Sequence, residues 1–322
     1  MRLGIVIVSY RVRELLRHCL DSVLAELARS PGLTAEVIVV DNASEDGSAE
    51  MVAAAFPQVR LMASATNRGF AGGNNLALRT WGFGQTPPPP TAPEAVLLLN
   101  PDTEVQPGAL TAMTDFLADH PTAGGCGARL FYGDGSFQHS AFRFPGLMQL
   151  WFDLFPPRGR WAGRLLDSRL NGRYPRRWYE SGRPFRVDFV LGAALLVRAA
   201  AIAAVGLLDE GYFMYAEEMD WCRRLSAAGW PLYCVPTAHI IHHEGRSARQ
   251  ARPAMAVALW RSRLRYYDRY YPAWKRRAAK ALVGLGMRAQ IRRAQRDHAA
   301  GRLTASACEA QITTCRRVLA LL

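Results

Sequence analysis

Three carboxylates head one segment, Glu217-Glu218-Met219-Asp220, and a fourth, Asp102, stands directly behind an apolar run. Asp102 closes the triplet Asn100-Pro101-Asp102, which follows Val96-Leu97-Leu98-Leu99. Four apolar residues in a row read as a strand buried on both faces, and Pro101 ends it. A carboxylate at such a carboxyl edge sits where open α/β sheets bind ligands. It suits a hard divalent cation, which takes carboxylate oxygen and keeps positions for phosphate oxygens. Asn100 adds a carbonyl oxygen without charge, and Pro101 has no N–H to offer. Taken alone, Asp102 is better explained as a cap on the helix expected from about Pro107. The acids at 217–220 open an amphipathic helix that stops at Gly229. The helix dipole accounts for one or two of them. Buried among Phe213, Tyr215 and Trp221, one carboxylate with a raised pKa could act as a general base.

Three further groups carry polar chemistry. Asp41 follows an apolar run and either accepts hydrogen bonds from a ribose or a base imide, or caps the next helix together with Asn42, Ser44 and Asp46. Asn67 to Asn75 reads as a Gly-rich loop before a helix. Gly69, Gly72 and Gly73 either let backbone N–H groups approach an anion or simply supply positive φ. The stretch is neither GxGxxG nor a P-loop. His239, His242 and His243 cluster at a strand end before Glu244-Gly245-Arg246-Ser247, a candidate ligand group. Ser247 stands where HExxH requires its second His.

Alternating elements must position these groups. Leu3 to Val8 is a strand ending at Ser9-Tyr10, and Glu14 to Leu27 has helical spacing. Strands follow at Glu36–Val40 and Val59–Met62, each with a helix behind it, to about Ala55 and about Trp81. Thr86 to Pro93 carries five prolines and reads as a stiff surface loop. Strand–helix alternation predicts a parallel, doubly wound sheet. Strands return at Arg186–Val197 and Pro231–Ile241. Between them, residues 143–186 hold ten Arg among many aromatics, a partly helical excursion suited to a lipid interface or an anionic acceptor, or else an ordinary loop with aromatic anchors.

The chain has 322 residues, is 50% hydrophobic and has a mean hydropathy of −0.06, which suits one large domain with an appendage, or two domains. No signal peptide is expected, because Arg2 precedes a strand-like run without a small-residue cleavage site. Val190 to Leu208 is apolar, but Arg198, Gly192 and Gly206 interrupt it, so a strand and a short helix are expected there and not a membrane span. The six cysteines form no CxxC pair, and free thiols are expected. Residues 246–322 carry 18 Lys/Arg against 3 Asp/Glu, whereas residues 1–245 carry 22 against 24. The polycationic tail, with apolar residues near helical spacing, seeks anionic lipid or nucleic acid. No RRM, KH or zinc-finger pattern accompanies it, so no nucleic-acid partner is expected.

In this order the motifs resemble the family 2 inverting glycosyltransferases of the GT-A fold, in the branch of bacterial rhamnosyltransferases that build cell-surface polysaccharide. The match is carried by Val8-Ser9-Tyr10, Val39-Val40-Asp41-Asn42-Ala43-Ser44, Asn67-Arg68-Gly69-Phe70, Leu98-Leu99-Asn100-Pro101-Asp102, Gly192-Ala193 and Phe213-Met214-Tyr215-Ala216-Glu217-Glu218-Met219-Asp220, with His242, Gly245 and Ser247 completing it. The resemblance covers roughly residues 3–250. It implies a GT-A domain over 1–250, with the 143–186 excursion facing acceptor or membrane, and a basic amphipathic helical tail over 251–322. It further implies that Ser9, Tyr10, Asp41, Asn67, Arg68, Gly69, Asn74, Asn100 and Gly192 hold a nucleotide-diphosphate sugar, Asp41 contacting the nucleoside. Asp102 would bind Mg²⁺ or Mn²⁺ with His242 as second ligand. The family commonly has Glu-Asp where this chain has Glu217-Glu218, leaving the base between Glu218 and Asp220.

The implied reaction is a single inverting displacement onto a lipid-linked or glycan acceptor. The implied location is cytoplasmic, at the inner face of the plasma membrane, where the tail meets anionic lipid. The branch points to dTDP-rhamnose, with UDP-sugars next. Two other readings remain: a nucleotidyltransferase, for which only Arg11 and Arg13 lie near the first loop to hold a triphosphate, and a non-catalytic, membrane-associated scaffold that binds a nucleotide sugar. The acids at 102, 217, 218 and 220 argue against the scaffold.

Overall fold

The computed structural model describes residues 1–85, 87–243 and 252–322. It divides into a sheet unit, Met1–Phe144, Tyr174–Phe213 and Glu217–Ser247, and a helical unit, Pro145–Arg173, Met214–Ala216 and Ala248–Leu322.

In the sheet unit the first strands are β1 (Arg2–Ser9), β2 (Thr34–Asp41), β3 (Arg60–Ala63), β4 (Ala95–Leu99), β5 (Thr103–Val105) and β6 (Gly125–Phe131). They are followed by β7 (Phe137–Gln138), β8 (Ala141–Phe142), β9 (Phe185–Val187), β10 (Phe189–Val190), β11 (Ala194–Arg198) and β12 (Leu232–His242). The main sheet has ten strands among the described residues, in the order β3-β2-β1-β4-β11-β6-β12-β5, with β7 on β6 and β9 on β12. β8 and β10 pair separately. The apolar runs read from the sequence form these strands because burial on both faces stabilises each large aliphatic side chain by about 1.5–3 kcal/mol. Ile5 and Ile7 of β1 and Leu97 and Leu99 of β4 are all but inaccessible and join one core cluster.

Helices α1 (Arg13–Arg29), α2 (Ser48–Ala55), α3 (Gly69–Thr80) and α4 (Ala109–Asp119) follow the early strands. Leu16, Cys19, Leu20 and Val23 recur at helical spacing and bury the inner face of α1, while Glu14 and Arg29 match the dipole at its ends. The expected loop at Asn67–Asn75 is instead mostly the first turns of α3. Intrinsic propensity disfavours glycine there, but packing overrides it. A Cβ on Gly73 would meet Val8 Cγ1 at 2.7 Å, so only glycine lets α3 lie this close on β1.

β1 to β4 are parallel, as the strand–helix alternation predicts. The rest of the sheet is mixed: β11 runs antiparallel to both β4 and β6, and β5 and β9 run antiparallel to β12. An apolar run buried on both faces has the same composition in either direction. Helix α8 (Ala199–Val205) follows β11, and α9 (Glu217–Ala227) carries the acid cluster; α7 (Arg176–Glu180) precedes β9.

The helical unit contains α5 (Leu147–Leu154), α6 (Ala162–Leu166), a 3₁₀ turn at Arg169–Asn171, α10 (Arg252–Tyr270), α11 (Ala273–Ala299) and α12 (Ala305–Leu319). Val283 and Met287 of α11 and Cys315 and Val318 of α12 are buried in it. Thr304 caps α12 by accepting from Ala307 N at 3.2 Å. A Cβ on Gly286 would meet Leu154 Cδ2 at 2.5 Å, so glycine there allows α5 to seat against α11. The excursion expected at 143–186 is divided: 145–173 fall in the helical unit and 174–186 in the sheet unit. All six cysteines are buried and free.

Candidate active site

Parallel pairing sets Ser9 opposite Asp41 at the carboxyl ends of β1 and β2. Both are buried. Asp41 Oδ2 accepts from Ser44 N at 3.2 Å. Asp41 Oδ1 and Ser9 Oγ are buried, and neither has a partner among the described residues. An unmet buried polar atom costs about 1–3 kcal/mol, so this pair is a ready hydrogen-bonding surface for a ligand. The alternative role, capping α2, falls to Asp46: its Oδ1 accepts from Ser48 N at 3.0 Å. The loops here hold Arg11, Ala43 and Glu45 at positive φ, the left-handed region that non-glycine residues enter only under constraint. Arg11 N donates to Ser44 Oγ at 3.1 Å, joining the two loops. The Arg11 guanidinium lies over the half-buried Tyr10 ring at 5.2 Å.

Asn67, Arg68 and Gly69 form a brace and not an open anion cradle. Asn42 Nδ2 donates to Asn67 Oδ1 at 2.9 Å and to Gly69 O at 3.1 Å, and Asn42 Oδ1 accepts from Arg68 N at 2.8 Å. Asn67 Oδ1 also accepts from Gly69 N at 2.9 Å, and Phe70 N donates to Phe213 O at 2.9 Å. Of the N–H groups expected to face an anion, that of Gly69 is thus engaged within the protein. Gly69 has φ +69°, and any Cβ on it would collide with the Phe213 carbonyl. Asn74 turns back to Phe70 O at 2.9 Å within its own helix. The Arg68 side chain is exposed, its Nε donating to Ser64 Oγ at 3.2 Å.

Asp102 is buried between β4 and β5. It does not cap α4, because Glu26 Oε2 accepts from Gly108 N at 3.0 Å in that place. Antiparallel pairing of β12 with β5 sets His242 opposite Thr103, and His242 Nε2 lies 3.4 Å from Asp102 Oδ1. On the other side of the ring, Nδ1 lies 3.2 Å from Gln138 Oε1. An amide oxygen there calls for N–H at Nδ1, which leaves the Nε2 lone pair facing the carboxylate. Two electron-pair donors at that separation suit a cation between them, and the second-shell amide holds the ring as in histidine metal sites. Carboxylate and imidazole are donors that Mn²⁺ accepts readily, with Mg²⁺ favouring the carboxylate. Among the described residues no group of three or more His, Cys, Asp or Glu could hold a metal. His243 instead pairs with Glu104 Oε1 at 2.7 Å, and His239 packs edge-on against Phe131. Gly245 and Ser247, which the resemblance included, lie outside the described residues.

Antiparallel β11 brings the acid helix to this edge. Ala194 pairs with Leu99, and Asn100 N donates to Ala193 O at 2.9 Å, so Gly192 adjoins the end of β4. A Cβ on Gly192 would lie 3.5 Å from Glu218 Cγ. Burial pushes the Glu218 carboxyl above its ordinary value, against backbone hydrogen bonds from its own turn and from Gly192. Asp220 differs. It is inaccessible, Oδ2 accepts from Arg224 Nε at 2.9 Å, and Oδ1 lies 3.5 Å from Tyr212 Oη. Arg224 in turn donates to Val205 O at 2.7 Å and Leu207 O at 2.8 Å. Tyr215 and Ala216, immediately before α9, both have positive φ, at 71° and 66°.

Sequence reading missed Gln138 and Glu26, which act on residues far away in the chain and sit in no patterned motif. It placed Asn42 in a motif, but as a helix cap and not as the brace to Asn67 and Gly69.

Residues 4–161 match glycosyl transferase family 2. The chain is 30% identical over 290 residues to the N-acetylglucosaminyl-diphospho-decaprenol L-rhamnosyltransferase of Mycobacterium tuberculosis, a match covering 86% of this chain and 91% of that protein. The mannosyltransferase PcManGT of Pyrobaculum calidifontis, solved with GDP-Man and Mn²⁺, superposes with a TM-score of 0.53 at 16% identity over 99% of this chain and 85% of that one. GalNAc-T7, solved with UDP, GalNAc and Mn²⁺, superposes with a TM-score of 0.52 at 14% identity over 75% of this chain and 44% of that one. The fold is GT-A, and the chain belongs to glycosyl transferase family 2, as a glycosyltransferase.

Proposed function

We propose that the chain moves rhamnose from dTDP-rhamnose to an N-acetylglucosaminyl-diphospho-polyprenol acceptor, with inversion at the anomeric carbon and with a divalent metal. The Mycobacterium tuberculosis relative supports the sugar and the acceptor. The observation that carries the reading is the Asp102–His242 pair, 3.4 Å apart, in the same sheet whose strand ends hold the buried, unmet oxygens of Ser9 and Asp41. Ser9 and Asp41 bind the nucleoside through hydroxyl and N–H groups. The Asn42–Asn67 brace shapes the wall beside them, with Tyr10, Gly69 and Asn74 in or next to it, and Arg68 meets the diphosphate. Asp102 and His242 would hold Mg²⁺ or Mn²⁺, which when bound supplies positive charge to the diphosphate.

Glu218, beside Gly192, takes the proton of the acceptor hydroxyl. The freed oxygen forms a bond to C1 as the C1–oxygen bond to the diphosphate breaks, and that electron pair leaves with the nucleotide. A carboxylate whose pKa is raised is a stronger base, once ionised, than an ordinary one. Asp220 fixes Arg224 and thereby the helix that carries Glu218. Among the described residues no helix is long and apolar enough to cross a membrane. The basic helices of residues 252–322 meet anionic lipid at the inner face of the plasma membrane, which favours a peripheral location.

The test is transfer from dTDP-rhamnose or UDP-sugars to a polyprenyl-diphospho-GlcNAc, with Mn²⁺ or with chelator. Rhamnose transfer that Asp102→Ala lowers by about 10²-fold or more is expected. Undiminished metal-dependent transfer in that variant would refute the metal assignment. Transfer of another sugar alone would refute the donor.

A further inference from the structure

Within the helical unit, residues 147–170 bear apolar side chains that the fold leaves outside. Leu150, Phe152 and Leu154 of α5 are buried, while Met148 and Trp151 of the same helix are exposed. Trp161 is 51% exposed and Leu170 55% exposed, and Leu165 is exposed as well. Scattered surface leucines need no explanation, but two exposed tryptophans with Met148, Leu165 and Leu170 inside one short stretch do.

The cations around them are arranged to match. Trp161 is the N-cap of α6 and Leu165 stands one turn on, its N donating to Trp161 O at 3.1 Å; Arg160 directly precedes the cap and Arg164 lies within the helix. Both guanidinium groups lie over the Trp161 ring, at 5.1 Å and 4.9 Å. Arg158 and Arg169 are exposed to either side. Residues 145–173 hold five Arg against two Asp. Tryptophan between arginines is at home where acyl chains meet headgroups: the ring enters the boundary, the long stems cover apolar surface, and the guanidinium groups bond phosphate.

We propose that residues 147–170 form a membrane-insertion wedge, with Trp161 and Leu165 entering the headgroup boundary of an anionic bilayer and Arg160 and Arg164 on its lipid phosphates. The partner is a lipid surface, because the exposed Trp161 ring carries two guanidinium groups beside exposed Leu165, and the net charge complements an anionic leaflet. The wedge differs from the basic helices of residues 252–322, whose attraction is electrostatic and is screened by salt. Its apolar part persists at high salt. The purpose of the wedge rests on the reading of a lipid-linked acceptor, but its measurement needs neither donor nor acceptor.

The experiment is vesicle flotation of the full chain with phosphatidylcholine vesicles and with mixed phosphatidylcholine–phosphatidylglycerol vesicles, at low and high salt. Wild type and the double variant Trp161→Ser/Leu165→Ser are compared, with thermal melting as a check of folding and sizing as a check of assembly. Wild type is expected on the mixed vesicles, with a salt-resistant fraction. The double variant is expected to melt alike and to lose about tenfold or more in partitioning at high salt. Equal partitioning of the two proteins overturns the wedge. Unchanged partitioning together with a dimer that the variant dissociates overturns it in favour of contact between copies. Wedge-dependent flotation in a protein that transfers no rhamnose would sink the donor and acceptor reading and leave the wedge standing.

Discussion

Asp41 and Asp220 are both buried carboxylates of the sheet unit, and they are treated in opposite ways. Asp220 has an arginine on one oxygen and a tyrosine hydroxyl at the edge of bonding distance on the other. Asp41 has one backbone N–H on Oδ2 and no partner on Oδ1 among the described residues. A completed carboxylate stabilises the fold around it, whereas an incomplete one costs stability, which the proposed function explains by a ligand. Glu218 stands between the two: backbone groups engage it, yet burial still raises its pKa.

The sharpest break in the comparison is at Glu218. Glu218→Gln is expected to lower kcat by about 10²–10⁴-fold, the usual contribution of a general base, while nucleotide affinity holds. The base must be ionised, and its folded pKa lies above the ordinary glutamate value. The wild-type rate should therefore fall as pH drops through a value above that of ordinary glutamate, and this acid limb should vanish in the variant. The same raised pKa makes ionised Glu218 destabilising. Its stability penalty grows as pH rises from the unfolded to the folded pKa, so Glu218→Gln should melt no lower than wild type at neutral pH. A wild-type acid limb that survives in Glu218→Gln would move the base elsewhere.

Asp220→Ala tests the completed carboxylate. It strands the Arg224 guanidinium, and a loss of about 3–5 kcal/mol in urea unfolding is expected. Full stability with lost turnover would instead make Asp220 a chemical group. The smallest effect is expected at the incomplete one. Asp41→Asn should weaken nucleotide-diphosphate binding by about 1–3 kcal/mol in calorimetry, the worth of a buried acceptor. It should leave the melting temperature nearly unchanged, because the amide oxygen still accepts from Ser44 N and the other position already lacks a partner. A large drop in stability would place Asp41 with Asp220.

The comparison also separates what could be read from sequence. β1 and β4 were legible because long aliphatic runs have few other uses, and the acid helix because its spacing and glycine stop are local. Strand direction was not: β11 is antiparallel, and Ala194-Leu195-Leu196-Val197 carries no mark of it. The Gly-rich stretch was misread as a loop because the reason for Gly73 is Val8, more than sixty positions earlier, and not its neighbours. His242 could be picked out among three histidines only by resemblance. Its distinction is the carboxylate across the sheet and Gln138 behind it, both supplied by tertiary pairing.

The return of β11 and β12 to the sheet has a consequence for how the enzyme comes into being. The strand ends that carry Ser9 and Asp41 belong to the first segment synthesised, and β1, β2 and β3 pair in parallel over a short stretch of chain. The partner of Asp102 arrives only with β12, near the end of the sheet unit's sequence. During synthesis the strand ends that bear Ser9 and Asp41 are therefore made well before the histidine that faces Asp102. On the proposed roles, a chain that ends before β12 would keep Ser9 and Asp41 on paired strands and would lack the histidine that faces Asp102.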